Sequence, residues 1–277
     1  MYSFFDRETL KSLIVSHPYA SFSVGALGFF GVKSLLLKAS KSALPKCDEA
    51  IKKELKNTIF MVDCDIDDNG SAISKLFATA SDAFSNPNTI KNLISKIPSD
   101  QMITLVIETN GGALSQCDLI LRRLKKHTAG YRVIVPGRCY SAGSIICLGA
   151  QSIVMDDVNS NLGKIDPISG GSQVQVIASL EHKYITDRNI IRVLQAQNIM
   201  NYTNEMLDLC IKEDGSLKKK VKEVMLESRL PHEKYYSMDE CVEIGLPVRE
   251  ASSPFEKYIM NNWSTILPLI KNYKLEI

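Results

Sequence analysis

An α/β fold with a mostly parallel sheet is what this 277-residue sequence predicts, and three observations predict it. Between residues 58 and about 157, short runs of apolar and β-branched residues alternate with longer amphipathic ones. The short runs are apolar at nearly every position, as strands covered on both faces must be. Two of them end in sharp, small-residue turns that lead into helical segments, the signature of strand–helix–strand units.

The N-terminus comes first. Residues 18–32, PYASFSVGALGFFGV, carry no charge, and after Lys33 the run continues as SLLL. A membrane span needs about 20 apolar residues, so residues 1–40 are expected to form an N-terminal hydrophobic helix, a candidate membrane anchor. The competing expectation is a buried hairpin or helix in a cytoplasmic protein. Asp6 and Glu8 acidify the leading segment, which argues against a signal peptide. Lys33, Lys38, Lys41 and Lys46 follow the run, so an anchored chain would hold its bulk on the cytoplasmic side.

Residues 41–57 read as a charged linker helix, and TIFMVDCDI opens the main domain, residues 58–250, as a strand. The alternation of Asp63, Asp65 and Asp67 has the look of a calcium loop, but glycine at the sixth position and glutamate at the twelfth are missing. A polar turn is the better expectation. SAISKLFATASDAF is a helix candidate, MITLVIET a buried strand, and ALSQCDLILRRLKKH a helix whose stripe is Leu114, Cys117, Leu121 and Leu124. YRVIVPG and SIVMDD are further buried strands flanking a small-residue helix. A loop, DPISGGSQ, precedes a helical pattern through Val174, Ile177 and Leu180, and SMDECVEIGLPV reads as a helix closed by Gly245 and then a strand. Residues 251–277 form a C-terminal amphipathic helix with Ser253 as N-cap, Pro254 at the first position, and a stripe from Phe255 to Leu267 suited to core or subunit contact.

Composition excludes several classes. Hydrophobic residues make up 45% and charged residues 23%, and a net charge of +2 offers no basic face for nucleic acid. The seven cysteines form no CxxC pair and lie mostly in apolar runs, which points to reduced thiols with neither a disulfide framework nor a metal site.

The chemistry is expected where the two small-residue turns fall, ETNGGAL after one strand and CYSAGS after another, since parallel sheets bind ligands at the carboxyl ends of their strands. Amides at Gly111 and Gly112 can approach a substrate because no Cβ intervenes. The amide of Ala142, at a helix start, lacks an intrahelical acceptor. With Ser141 as nucleophile these amides form an oxyanion hole; the plain alternatives are a helix start at Gly111–Gly112 and an N-cap at Ser141.

ETNGGA, then DLILRRLKKH, then VIVPGRCYSAGSIICLGAQSIVMDDVNSNLGKIDPI together resemble the serine peptidases of the Clp protease and signal peptide peptidase superfamily. Within it the sequence is similar to the membrane-associated serine dehydrogenase proteinases, which read T-P-G-G, a Ser followed by small residues, I-V-M-D and G-P-I-D-P. The similarity covers residues 58–248, with Asn110 standing where the family has Pro. The resemblance implies a ClpP/crotonase-like spiral of ββα units and a membrane-associated serine endopeptidase. Its nucleophile would be Ser141, its oxyanion donors Gly111, Gly112 and Ala142, and no cofactor is implied. It further implies a protein or peptide substrate, and homo-oligomers.

The Clp histidine position, about 24 residues after the nucleophile, falls at Ile165. Two bases stay open. Lys183 lies where signal peptide peptidases place a lysine, with His182 beside it, and needs burial or a positive neighbour to act. The other source is the His232–Glu233 pair in LPHEKYYSMDECVEIGL, where Glu233 matches the Clp aspartate. Asp166 is expected to orient its loop, and His17 and His127 to be structural. The alternative functions are a catalytically silent ClpP-like membrane scaffold, which keeps the fold without turnover, and a crotonase-like acyl-CoA enzyme, which needs no Ser141. A dehydrogenase finds no support, because no G-x-G-x-x-G opens a helix after a strand.

Overall fold

The computed structural model describes residues 49–62, 87–169, 172–211 and 215–275. The apolar N-terminal run, the aspartates at 63–67 and the helix expected over residues 71–84 lie outside the described residues. Among the described residues no helix is long and apolar enough to cross a membrane.

The first half of the chain reads α1 (Glu49–Leu55), β1 (Thr58–Val62), α2 (Pro87–Lys96), β2 (Ile103–Glu108), α3 (Leu114–Lys125), β3 (Tyr131–Ile134), β4 (Arg138–Cys139), α4 (Ala142–Leu148) and β5 (Ile153–Val154). There follow β6 (Asn161–Gly163), the hairpin β7 (Ile168–Ser169) and β8 (Ser172–Gln173), α5 (Val174–Ala178), α6 (Ile190–Cys210) and α7 (Gly215–Met225). The chain closes with β9 (Tyr235–Tyr236), α8 (Met238–Ile244), β10 (Val248–Arg249) and α9 (Pro254–Leu275).

The fold is α/β around a parallel sheet of order β1-β2-β3-β5-β10. Its strands are apolar throughout because both faces are covered. Ile59, Met61, Leu105, Ile107, Val133 and Ile153 point into one core with α3, α4 and the end of α6. Their alternate neighbours Phe60, Val62, Val106, Ile134 and Val154 point into a second core with α1 and α9. This is the two-residue period of a strand, invisible in the sequence because neither face is wet.

The second core has an ionic rivet. Glu256 on α9 is completely buried and accepts both arms of the Arg249 fork at 2.7 and 2.9 Å, Arg132 of β3 at 2.8 Å, and the amides of Ser252 and Ser253. Arg132 also pairs with Glu54 of α1, so one carboxylate ties together three elements on the back of the sheet. Ser253 returns a bond to the Glu256 amide, a reciprocal cap at the start of α9.

The C-terminal stripe, read above as core or subunit contact, is core. Phe255, Ile259, Trp263 and Ile266 are buried against this chain's own sheet, so a partner would have to dock elsewhere. The longest element missing from the sequence reading is α6. Its buried line runs through Val193, Ala196, Thr203, Leu207 and Cys210, but Ile190, Ile191 and Leu194 are exposed and blur it.

A small second sheet, of order β4-β6-β9, sits beside the carboxyl ends of the main strands. β4 runs parallel to β6, and β6 antiparallel to β9.

Burial by itself pushes the Glu256 carboxyl up, but Arg249 and the two serine amides outweigh it and hold it at about 2 against an ordinary 4.5. A lowered folded value gives stability that is present above pH 4.5 and is lost as pH falls through 2. The pair is worth no more than about 3 kcal/mol by this linkage. Urea unfolding of wild type and Glu256→Gln should therefore differ most at pH 7 and converge as the pH approaches 2; a gap independent of pH would refute the linkage.

Candidate active site

The site is assembled where β2 leaves its partner. β2 pairs with β3 as far as Val106–Ile134, and from Thr109 the chain pairs with β4 instead: the Thr109 amide donates to Arg138 O at 2.9 Å and the Tyr140 amide to Thr109 O at 3.0 Å. This switch lays the Asn110–Gly112 turn alongside Ser141. Gly111 has φ 109, and a Cβ there would stand 2.7 Å from Ser141 Cβ and 3.3 Å from its Oγ. Only glycine satisfies both demands. On the far side of the turn, a Cβ on Gly143 would lie 2.5 Å from Thr109 Cγ2, so α4 also packs directly onto it.

Ser141 is the one non-glycine residue with positive φ among the described residues, at φ 52 and ψ −115. A serine held on a strained strand-to-helix turn is the geometry that lifts a nucleophile out of a sheet, and the strain costs about 1–3 kcal/mol. Its hydroxyl caps nothing: α4 begins at Ala142 with no side-chain bond from Ser141. The N-cap alternative is thereby corrected, since the side chain does none of the work that would explain a serine there. Ser144, one turn along, fixes the helix instead, its hydroxyl 2.7 Å from Gly163 O and 2.9 Å from Cys139 O.

The oxyanion donors also need one correction. The Gly111 amide is committed to Thr109 Oγ1 at 2.9 Å, so it shapes the turn. Gly112, exposed at its tip, and Ala142, buried as the first residue of α4, remain the candidate donors.

The small sheet supplies the titratable groups. Arg138 and Cys139 pair with Asn161 and Leu162, and a Cβ on Gly163 would meet Tyr140 at 2.6 Å, so the residues leading into Ser141 and into Lys164 lie against each other. Across β6, Leu162 pairs with Tyr236 and Gly163 with Tyr235, which continues to Asp166 opposite His232. The side chains follow this register: His232 Nδ1 lies 3.4 Å from Asp166 Oδ2, with the imidazole half-exposed and the carboxylate buried. Lys164 Nζ lies 3.3 Å from the same oxygen and donates to Leu230 O at 2.9 Å.

Two expectations change accordingly. Lys183 is exposed, paired with the exposed Glu181 at 2.7 Å and stacked near the Tyr184 ring. It lacks the burial that a lysine base requires, and the charge it contacts is an anion. Glu233 is exposed, and the carboxylate in contact with His232 is Asp166. The loop residue assigned only to orientation thus holds the place given to Glu233. Lys164 was missed altogether, though a lysine inside the apolar run after a strand, where the resembling pattern writes G-P-I-D-P, is the signal that marks it. His127 is buried, its Nε2 2.6 Å from Gln101 O, a structural role.

A cleft of about 330 Å³ borders the cluster, lined by Val176, Ile177, Leu180 and Val193 with Gln173 and Arg192 at its polar side. Gln173 joins it to the site by donating to Leu230 O, the carbonyl that Lys164 also uses. Among the described residues no group of three or more His, Cys, Asp or Glu side chains is placed to hold a metal ion.

A parallel α/β sheet that raises a serine on a strained turn beside a glycine turn defines the class. Residues 73–265 match the family described as ClpP-like SDH-type serine proteinase, and the chain belongs to that family. Membership supports a peptidase-type function in general. Two proteins of Methanocaldococcus jannaschii are similar to it. Uncharacterized protein MJ0137 is 31% identical over 62% of this chain and 61% of its own length. Uncharacterized protein MJ1495 is 29% identical over 57% of this chain and 56% of its own. The matches thus span about three-fifths of these relatives' length.

If the turn at Ser141 stores strain, relieving it should show. Ser141→Gly is expected to be more stable than Ser141→Ala by about 1 kcal/mol, because glycine adopts positive φ without penalty. Denaturant unfolding of the two variants measures this, and equal stabilities would mean the turn is unstrained.

Proposed function

We propose that the protein is a serine endopeptidase in which Ser141 is the nucleophile, His232 the general base and Asp166 the carboxylate that orients it. The backbone of Ser141 carries the reading: a strained, uncapped serine between a glycine turn and a helix start has no structural use for its hydroxyl. Ser141 Oγ attacks the scissile carbonyl carbon and passes its proton to His232 Nε2. The Nδ1–H of the same ring faces Asp166, which favours the tautomer with Nε2 free. Amides of Gly112 and Ala142 receive the negative charge on the carbonyl oxygen. Collapse expels the amine, which takes the proton from His232, and water then hydrolyses the ester by the reverse exchange.

Protein or peptide is the proposed substrate. The β7–β8 hairpin offers an edge for an extended chain, and the adjoining apolar cleft suits a side chain of that strand. The ClpP/crotonase-like ββα spiral, expected from the resemblance, is in keeping with the parallel sheet and family membership. Membrane association rests on the uncharged run at residues 18–32, and self-association on the exposed apolar Ile190, Ile191 and Leu194 at the start of α6.

Fluorophosphonate labelling of the full chain tests the roles. Ser141→Ala should abolish labelling, and His232→Ala and Asp166→Asn should each slow it by at least about 100-fold, the usual scale for general-base loss. Lys183→Ala should label at the wild-type rate. Labelling that survives His232→Ala but is lost in Lys183→Ala would restore the lysine base, and a wild type that never labels would favour the silent scaffold.

A further inference from the structure

One feature of the site is unused by this mechanism. Lys164 is completely buried, and a buried ammonium is costly unless paired. Its partners are few: Asp166 Oδ2 at 3.3 Å and Leu230 O at 2.9 Å. Asp166 Oδ2 is also the atom that faces His232 Nδ1, while Oδ1, equally buried, has no hydrogen-bond partner among the described residues. A pair that served only to neutralise a buried charge would be free to use both oxygens. Here lysine and histidine converge on one.

We propose that Lys164 is a positioning residue for the base: it shares Asp166 Oδ2 with His232, fixes the carboxylate's orientation, and offsets its charge so that His232 accepts protons down to a lower pH. The inference rests on the reading of His232 as base. The physical reason is direct. A bare buried carboxylate beside an imidazole stabilises the imidazolium and so favours the form that cannot accept a proton. An ammonium on the same oxygen cancels much of that attraction, because it sits about as close to the carboxylate as the imidazole does. Asp166 then keeps its directional role at Nδ1 without holding His232 protonated.

The surrounding charges do not supply the same compensation. On the turn before β9, Glu227 pairs with Arg229 at 2.8 Å and also lies within the field of Lys164, and Lys234 pairs with Glu240 at 2.7 Å. Glu233 is exposed on that turn, next to Tyr235 of β9. Arg138 and Tyr140 belong to the strand and turn before Ser141, and on the side of α5 and α6 stand the neutral Gln173 and Gln175, with Glu181, Lys183 and Arg192 further out. Lys164 is the cation in contact with Asp166 besides His232 itself.

The test is an NMR titration of the His232 ring in the full chain carrying Ser141→Ala, which needs no catalysis, alongside the pH profile of fluorophosphonate labelling in the parent with Ser141 intact. The chain has four histidines, so comparison with His232→Ala assigns the signal. In Lys164→Met the His232 midpoint and the acid limb of labelling should both move up by about one pH unit, while Lys164→Arg restores them. An unmoved midpoint overturns the proposal. Loss of labelling at every pH, unrescued by Arg, would make Lys164 the proton acceptor and overturn it as well. Should Lys164→Met fail to fold, the 15N shift of Lys164 Nζ in the unaltered site decides: the ammonium must persist across the pH range in which His232 titrates, and a neutral amine there refutes the inference. Labelling retained in His232→Ala would sink the reading of the base while leaving the titration result intact.

Discussion

Strand β6 is hydrogen-bonded along both edges, and the site depends on that. On one side Asn161 and Leu162 fix β4, which delivers Ser141; on the other Leu162 and Gly163 fix β9, which delivers His232. Lys164 and Asp166 follow directly from the strand's own end. Because hydrogen-bonded strands keep a fixed spacing of about 4.8 Å, segments up to 98 residues apart, 138–139 and 235–236, are held along the two edges of one strand. Gly163 makes the close approach tolerable, since a Cβ there would meet the Tyr140 ring at 2.6 Å.

Strain and rigidity are divided between the two sheets. The parallel sheet is a double-faced apolar slab with the Glu256–Arg249–Arg132 rivet closing its back. That slab absorbs the cost of holding Ser141 at positive φ, because the residues on either side are fixed: Tyr140 by Thr109 and α4 by Ser144. Backbone strain of this kind persists only where the surroundings over-determine it.

The charge distribution follows the same logic. Asp166 and Lys164 are the buried ionic groups of the site, and they are paired with each other. His232 stands at the boundary, half in solvent, the position the proposed base needs in order to exchange protons with substrate and water. Lys183, which spacing alone suggested, stays on the solvated face beside Glu181, where an ion pair contributes little.

By itself the sequence determined the α/β class, the glycine turn, the exceptional serine and the ends of helices α8 and α9, because each is written in local residues: continuous apolar strands, ETNGGAL, CYSAGS, the closing Gly245, and Ser253–Pro254. It did not show α6, whose exposed Ile190, Ile191 and Leu194 blur its stripe. Nor did it show which carboxylate meets His232. Counting residues from the nucleophile pointed to Ile165 and Lys183, and matching a motif pointed to Glu233. The partnership of Asp166 with His232 and Lys164 is set by the antiparallel register of β6 and β9, a pairing across more than sixty residues that no local spacing encodes. Tertiary structure alone decided it, because strand register couples side chains through hydrogen bonds between segments that the sequence keeps far apart.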